Sequence, residues 1–408
     1  MTTVVVVGSG GREHALADVL GRTASMVIVT PGNPGIPGSV DTPATELDAD
    51  LFVIGPEVPL VDGLADELRA QGKLVFGPGA DGAQLEGSKA YMKDLLVAAG
   101  VPTAAHGSFT ESASALEFLA TMSAPFVIKT DGLAAGKGVL VTDDRAEAEQ
   151  AVEDYLSGSA FGSAGATVVI EEGLVGPEVS LFAICDGTKA VAMAPAQDHK
   201  RIFDGDQGAN TGGMGAYTPL PWADADLSAT IMSDFVEPTL AELQRRGIDY
   251  RGALFAGLML TPTGPKMLEY NVRFGDPETQ VVLPRIDSDL VQLLSEAASG
   301  NIETEPSFSH DALITVVCAS EGYPASARTG DVIAGIDEAR ALDGVEVYLA
   351  GVKRNDADEL ITGGGRVLNV VGRGATIAEA VERAYAGVAE ISWPGMQHRT
   401  DIAHQARS

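Results

Sequence analysis

Around residue 270 the chain reads Met-Leu-Glu-Tyr-Asn-Val-Arg-Phe, with Glu269, Asn271 and Arg273 alternating with apolar residues. On an extended strand such residues share one face, about 6–7 Å from one to the next. A carboxylate and an amide oxygen side by side are hard donors suited to magnesium, which fills its other positions with phosphate and water. The arginine can orient a carboxylate or stabilise charge on a phosphoryl group in flight. An ordinary amphipathic strand with one wet face would show the same alternation. The Gly275-Asp276-Pro277-Glu278 turn favours chemistry, because it packs more carboxylates beside that face.

Three glycine-rich segments could meet anions. Gly8-Ser9-Gly10-Gly11-Arg12-Glu13 follows an apolar run and opens a helical pattern, the context in which backbone N–H groups converge on phosphate. A dinucleotide fits poorly, since Glu13 stands at the third fingerprint position and the next strand ends in Thr30-Pro31-Gly32 without an acid. A phosphate monoester is the better reading, and a purely structural tight turn stays open. The second segment runs from Lys129 through Gly132 and Gly136 to Lys137 and Gly138. It lacks the hydroxyl residue and spacing of a Walker loop, yet a glycine-rich hairpin with a lysine at each end can close over a triphosphate. A flexible hairpin with solvated lysines is the bland alternative, and Lys129 argues against it by ending the apolar strand FVIK. The third, Gly208 to Gly215 with Asn210, Thr211 and Gly212, suits close approach of backbone to a ligand; Asp204-Gly-Asp206 before it fails the order of a calcium loop.

Lys89 opens a helical pattern and opposes its dipole, which a nearby anion would relieve. The six histidines form no HxH or HExxH pair, and no GxSxG elbow is present. These residues point to magnesium-nucleotide phosphoryl transfer without a protein nucleophile, beside a separate phosphate-bearing substrate.

The elements that must position them divide the 408 residues into three parts. Residues 1–87 alternate strand and helix and predict a small doubly wound α/β domain with a parallel sheet. Residues 88–306 read as α+β, with Ser88 capping a helix that Gly100 ends. Within them a mobile β-rich flap, about 105–173, has strands in neighbouring pairs: PFVIK with GVLVT, then ATVVIEE with PEVSLFAICDG. A long irregular stretch follows from Gln197 to Pro219, and residues 307–408 form a C-terminal α+β domain. The net charge of −30 repels phosphodiester backbones and anionic lipid surfaces, so nucleic-acid and membrane partners are not expected. Cys185 and Cys318 lie in apolar runs and read as buried reduced thiols, which suits the cytoplasm. No apolar run approaches the roughly 18 residues of a membrane span, and the N-terminus carries no targeting pattern.

Taken together, VVVVGSGGREHALA, TPGNPG, VIGPEVPLVDGLAD, QLEGSKAYMKDLL, PFVIKTDGLAAGKGV, VIEEGLVGPEVSLF, QDHKRIFDGDQGANTGGMGAYTP, LEYNVRFGDPETQ and GGRVLNVVGRG run through nearly the whole chain. In this order they resemble the ATP-grasp superfamily and, within it, the phosphoribosylamine-glycine ligase family. The resemblance implies an ATP-grasp fold and ligation of glycine to 5-phosphoribosylamine through a glycyl phosphate, with ATP and Mg2+ (or Mn2+), in purine biosynthesis. Another ATP-grasp carboxylate-amine ligase with a different acceptor stays open. It further implies that Glu269 and Asn271 hold the metal, and that Lys89, Lys129 and Lys137, with Gly136 and Gly138, serve the nucleotide phosphates or their covering loop. Glu178, after the Glu171-Glu172 hinge, would face the ATP ribose. Gly10, Gly11 and Asn33 would cradle the sugar phosphate, and Asp204, Asn210, Thr211 and Gly212 would meet substrate. Arg273 and Asp198 are the implied catalytic pair, in a monomer. One departure is visible: only Ile36 to Asp50 separate PGNPG from LFVIGPE, which predicts that a crossover helix is missing there.

Overall fold

The computed structural model describes residues 1–133, 138–158 and 166–406. The run TVVVVG forms β1 (Thr3–Gly8), α1 is Gly11–Leu20 and β2 is Met26–Pro31. Strand β3 (Leu51–Ile54), helices α2 (Glu57–Val61) and α3 (Leu64–Ala70) and strand β4 (Val75–Phe76) complete this part. The strands are parallel in the order β2-β1-β3-β4. Their order reverses at β1, so the Gly8–Gly11 loop lies at the edge where open α/β sheets take ligands. Between β2 and β3 the chain makes only a 3-10 turn, Ala44–Glu46, so the crossover helix is absent as the short segment predicts.

Helices α4 (Ala80–Gly87) and α5 (Lys89–Ala99) meet at Ser88, whose hydroxyl accepts the Tyr91 N–H at 3.1 Å and donates to Asp131 at 3.1 Å. Such a cap contributes about 1 kcal/mol. Gly100 closes α5 in the left-handed region, at φ 71°.

Next come β5 (His106–Phe109), α6 (Ser112–Ala120), β6 (Phe126–Thr130), β7 (Val139–Thr142), α7 (Arg145–Leu156) and β8 (Val168–Glu172). The strands pair antiparallel in the order β5-β8-β6-β7. They share with α6 and α7 a core of their own, including Leu119, Ile128, Val152 and Ile170. The expected hairpin of β6 with β7 is present. The expected pairing of ATVVIEE with PEVSLFAICDG is not: β8 stays in this sheet, whereas β9 (Glu178–Asp186) lies in the centre of the next, between β10 (Ala190–Ala192) and β15 (Arg251–Thr261). Strand β9 is buried from Val179 to Asp186. A strand apolar on both faces needs a neighbour on each side, and a hairpin with β8 could not supply both.

The stretch expected to be irregular instead holds β11 (Gln197–Asp198), β12 (Arg201–Phe203), β13 (Gln207–Asn210) and β14 (Gly215–Thr218). Strands β12 and β13 form a hairpin around the Asp204-Gly205-Asp206 turn. Helices α8 (Leu227–Ile231) and α9 (Glu237–Arg245) follow, joined by a π turn at Met232–Val236.

Strand β16 (Gly264–Asn271) closes the central sheet, order β10-β9-β15-β16. Its pairing steps from Leu258 opposite Met267 to Gly257 opposite Glu269, leaving Leu268 as a bulge. The extra residue turns both Met267 and Tyr270 into the core, so Glu269 and Asn271 face the opposite side. The strand ends at Asn271, and Arg273 therefore lies beyond it rather than on it, a correction to the three-residue strand face.

The remaining elements are α10 (Thr279–Val282), α11 (Leu290–Ser299), β17 (Ala312–Ala319), α12 (Ile336–Arg340), β18 (Val345–Leu349), β19 (Val352–Arg354), β20 (Leu360–Thr362), β21 (Arg366–Gly374) and α13 (Ile377–Glu390). Their main sheet has the order β11-β14-β17-β21-β18, so strands from mid-chain complete it. Gly372 lets α13 lie directly on β21, since a Cβ there would stand 2.1 Å from the Ala380 carbonyl oxygen. This part is sewn to the N-terminal sheet: the Leu349 N–H donates to His14 Nδ1 at 2.9 Å, and Asn33 Nδ2 donates to the Ala350 carbonyl at 3.1 Å.

Candidate active site

A cleft of about 670 Å3 opens where these parts meet. One wall carries Glu269, Asn271 and Arg273; facing them are Lys89 and the hairpin residues Gly132 and Gly138. Asp198, Lys200, Thr211 and Gly212 line it from the β11–β14 region, and Arg366 from the start of β21. The three residues singled out by their alternation thus share one space under the glycine-rich hairpin, although Arg273 reaches it from the turn after the strand.

The charges explain how a buried acid stays ionised here. Burial raises the Glu269 pKa, but Lys200, Lys129, Lys89 and Arg273 together outweigh it and hold the carboxyl below its ordinary value. Lys89 is pushed the other way by burial, and Glu269 limits the fall. Its Nζ donates to the Gly132 carbonyl at 2.9 Å, while Asp131 accepts the Ala90 N–H at 3.2 Å, so the foot of the hairpin is tied to the first turn of α5.

Arg273 is held by several acceptors at once. It donates from Nε to Glu57 at 3.3 Å, and from Nη2 to Glu86 at 2.8 Å and to Asn271 Oδ1 at 3.2 Å. Burial would lower its pKa, but Glu86 and Glu57 keep it above the ordinary arginine value. On the far side, burial raises Asp198 to about 7, opposed by Lys200 and reinforced by Glu278 and Glu178. Arg366 donates from Nη1 to the Gly212 and Asp276 carbonyls at 2.6 and 2.7 Å and pairs through Nη2 with the Asp276 carboxylate at 3.0 Å. It locks the third glycine-rich segment against the GDPE turn.

Other expected site residues lie outside the cleft lining. Lys129 and Lys93 each stand 2.8 Å from the buried Glu171 carboxylate. Glu172 pairs with Lys266 at 2.6 Å, and Glu178 with Lys200 at 2.6 Å. Gly136 and Lys137 lie outside the described residues. The Gly10 N–H donates to Glu13 Oε2 at 2.6 Å, so a carboxylate of the chain itself occupies that amide. Gly11 opens α1 against Asn369. Asn33 spends its amide on the Ser9 carbonyl at 2.8 Å and on Ala350, and its Oδ1 accepts the Gly35 N–H at 2.8 Å. Asn210 pairs with Arg201 in the β12–β13 hairpin, and Asp204 accepts the Thr400 N–H at 2.8 Å. Thr211 and Gly212 do reach the cleft.

Residue-level reading of the sequence assigned no role to Glu57, Glu86, Lys200 or Arg366. One signal was available for Glu86: an acid in the last turn of α4 opposes that helix dipole just as Lys89 opposes that of α5. Two such opposed charges three residues apart mark a site between the helices.

Among the described residues no group of three or more His, Cys, Asp or Glu is placed to hold a metal. The donor set is instead an ionised carboxylate and an amide oxygen on one strand edge, which fits magnesium bound partly through nucleotide phosphates. Among the described residues the cleft lining carries no His or Cys of the kind that selects zinc or copper, whereas the same oxygens also suit manganese.

A glycine-rich hairpin over an acid-amide strand edge, with lysines between, defines an ATP-grasp enzyme. The chain belongs to the phosphoribosylglycinamide synthetase family: its N domain model matches residues 2–86, its ATP-grasp (A) domain model residues 87–279 and its C domain model residues 313–405. It is 49% identical to the phosphoribosylamine-glycine ligase of Caulobacter vibrioides, covering 99% of this chain and 98% of that one. With the Streptomyces coelicolor protein of the same name the identity is 47%, over 99% of each. The crystal structure of phosphoribosylamine-glycine ligase from Thermotoga maritima superposes with TM-score 0.87 at 33% identity, covering 98% of this chain and all of that one. The biotin carboxylase domain of Hydrogenobacter thermophilus 2-oxoglutarate carboxylase, solved with MgADP and bicarbonate, shares the fold with TM-score 0.76 at 16% identity, over 97% of this chain and 91% of that one.

Proposed function

We propose that the cleft joins glycine to 5-phosphoribosylamine at the expense of ATP, releasing ADP, phosphate and glycinamide ribonucleotide. The observation that carries this reading is the Glu269–Asn271 edge facing Lys89 and the hairpin across one cleft. Glu269 and Asn271 would hold magnesium, which supplies charge neutralisation at the nucleotide phosphates. Lys89 fixes the foot of the hairpin and adds positive charge beside it, with Lys129 and Lys137 serving the nucleotide phosphates or the loop over them. The guanidinium of Arg273 offsets the charge that builds as a glycine carboxylate oxygen attacks the γ-phosphorus and the bond to ADP breaks. The amine of the sugar then attacks the acyl carbon of glycyl phosphate and phosphate leaves. Asp198, beside Lys200, accepts the proton that the amine sheds.

Within this reading residues 1–87, 88–306 and 307–408 act as three units of a cytoplasmic monomer, with small molecules as its partners. Among the described residues no helix is long and apolar enough to cross a membrane.

Phosphate release from ATP should require glycine and phosphoribosylamine together; release that ignores either one contradicts the proposal. Alanine in place of glycine should lower kcat/KM by about 100-fold, the range one methyl group costs in a closed pocket. Equal turnover would point to a carboxylate substrate other than glycine.

A pH profile tests Asp198. With a pKa of about 7, kcat should fall as pH drops below 7, because the protonated carboxyl cannot take the amine's proton. Stability carries the opposite sign: a raised acid pKa means the folded chain binds more protons than the unfolded one between about 4 and 7, so this group destabilises progressively as pH rises through that window. Asp198→Asn should therefore be inactive at pH 8 yet melt higher than the parent. An active Asp198→Asn removes the acceptor role.

A further inference from the structure

The Asp204-Gly205-Asp206 turn has no place in the cleft, and its carboxylates face the last residues of the chain. Arg399 is fully buried. It grips Asp401 in bidentate fashion, Nε to Oδ1 and Nη2 to Oδ2, both at 2.7 Å, and donates from Nη1 to Asp206 Oδ1 at 2.6 Å and to the Arg201 carbonyl at 3.2 Å. Thr400 donates its N–H and its hydroxyl to Asp204, and Gly205 N–H donates to Asp401 Oδ2 at 2.8 Å. One turn further, the Ala403 N–H donates to Nε2 of the buried His199 at 3.1 Å. Two non-glycine residues with left-handed backbone, Asp206 at φ 54° and Ala403 at φ 63°, sit on opposite sides of this seam. Such conformations cost free energy and persist where their surroundings over-determine them.

The seam leads to the cleft within one residue. His199 lies between Asp198 and Lys200, which both line it, and its carbonyl accepts the Met214 N–H at 2.7 Å while the Lys200 carbonyl accepts the Thr211 N–H at 2.8 Å. The hairpin itself is short and exposed at its tip, among the described residues its own two strands pair only with each other, and Ile202 packs on Met214 and Ala319. Its placement therefore depends on what grips it from outside.

We propose that the C-terminal segment Arg399–Ala403 is a positioning element of the active site, with Arg399 as its anchor: by holding the 201–210 hairpin it sets where Asp198, Lys200 and Thr211 stand in the cleft. This rests on the reaction proposed above. Arg399 touches no reacting atom and is a positioning residue.

Arg399→Lys keeps the charge but loses the fork; Asp206→Asn keeps the shape but loses the charge pair. Each should lower kcat by at least tenfold with KM for ATP within twofold of the parent, measured at least 15 °C below its own melting temperature. Arg373→Lys, at an arginine that pairs with Asp311 at 2.9 Å away from the cleft, should lose stability without changing kcat. A purely structural role would make the Arg399 and Asp206 variants behave like Arg373→Lys, and that result overturns the inference. If Arg399→Lys does not fold, Asp206→Asn decides alone: unchanged kcat overturns, a selective fall in kcat supports. A parent protein without glycine-dependent phosphate release would fail the functional reading instead, which keeps the two failures apart.

Discussion

Glu269→Ala is expected to lower kcat by at least about a thousandfold, ~4 kcal/mol of transition-state stabilisation, while circular dichroism stays that of the parent. The size follows from the position of the carboxylate. It is one of two oxygen donors on the strand edge, and Lys200, Lys129, Lys89 and Arg273 all act to keep it ionised against burial. Removing it takes away the central anion of four cations and the charged one of the two hard donors at once. The backbone should hold, because β16 is paired with β15 from Thr261 opposite Gly264 to Phe255 opposite Asn271. The ion pair of Lys129 with Glu171 also stays in place. A folded Glu269→Ala protein that turns over normally would remove the metal site from this strand.

Arg273→Met should show the second large effect, on stability and activity together. Glu57 and Glu86 would lose their cation in a partly buried site, and losing charge-assisted hydrogen bonds there costs about 1–3 kcal/mol. The pH dependence has a definite sign. Burial acts to raise the Glu57 pKa, but Arg273 with lesser contributions holds it below its ordinary value, so in the parent this group adds stability above the unfolded pKa and loses it as pH falls through the lower folded value. Without the guanidinium, burial prevails and both carboxyls titrate high. The variant should therefore melt furthest below the parent near pH 8, and the gap should narrow toward pH 5 as the two acids protonate. A gap independent of pH would mean that Arg273 acts through packing alone.

What could be read from the sequence was what local pattern fixes. Glu269 and Asn271 are one strand step apart, and the bulge at Leu268 falls before both, so their shared side survives it. Ser88 and Gly100 bound α5 through short-range caps. The residues that only the family resemblance assigned to the site are held in this structure by distant partners. Asn33, assigned to the sugar phosphate by resemblance alone, gives its amide to Ser9 and to Ala350, 317 residues away. Glu171 is consumed by Lys93, 78 residues before it, and by Lys129. Asp204 answers to Thr400, 196 residues on. The apolar runs of β8 and β9 announced two strands without saying that each needs different neighbours, and the hairpin at 201–210 was invisible because its strands, of three and four residues, are too short to show alternation.

The most direct measurement is the fate of oxygen. With glycine labelled by 18O in its carboxylate, attack on the γ-phosphorus followed by displacement at the acyl carbon leaves one glycine oxygen in the phosphate. Mass spectrometry of the released phosphate should find one 18O per molecule, and only when phosphoribosylamine is present; unlabelled phosphate formed alongside glycinamide ribonucleotide would contradict activation of the carboxylate in this cleft.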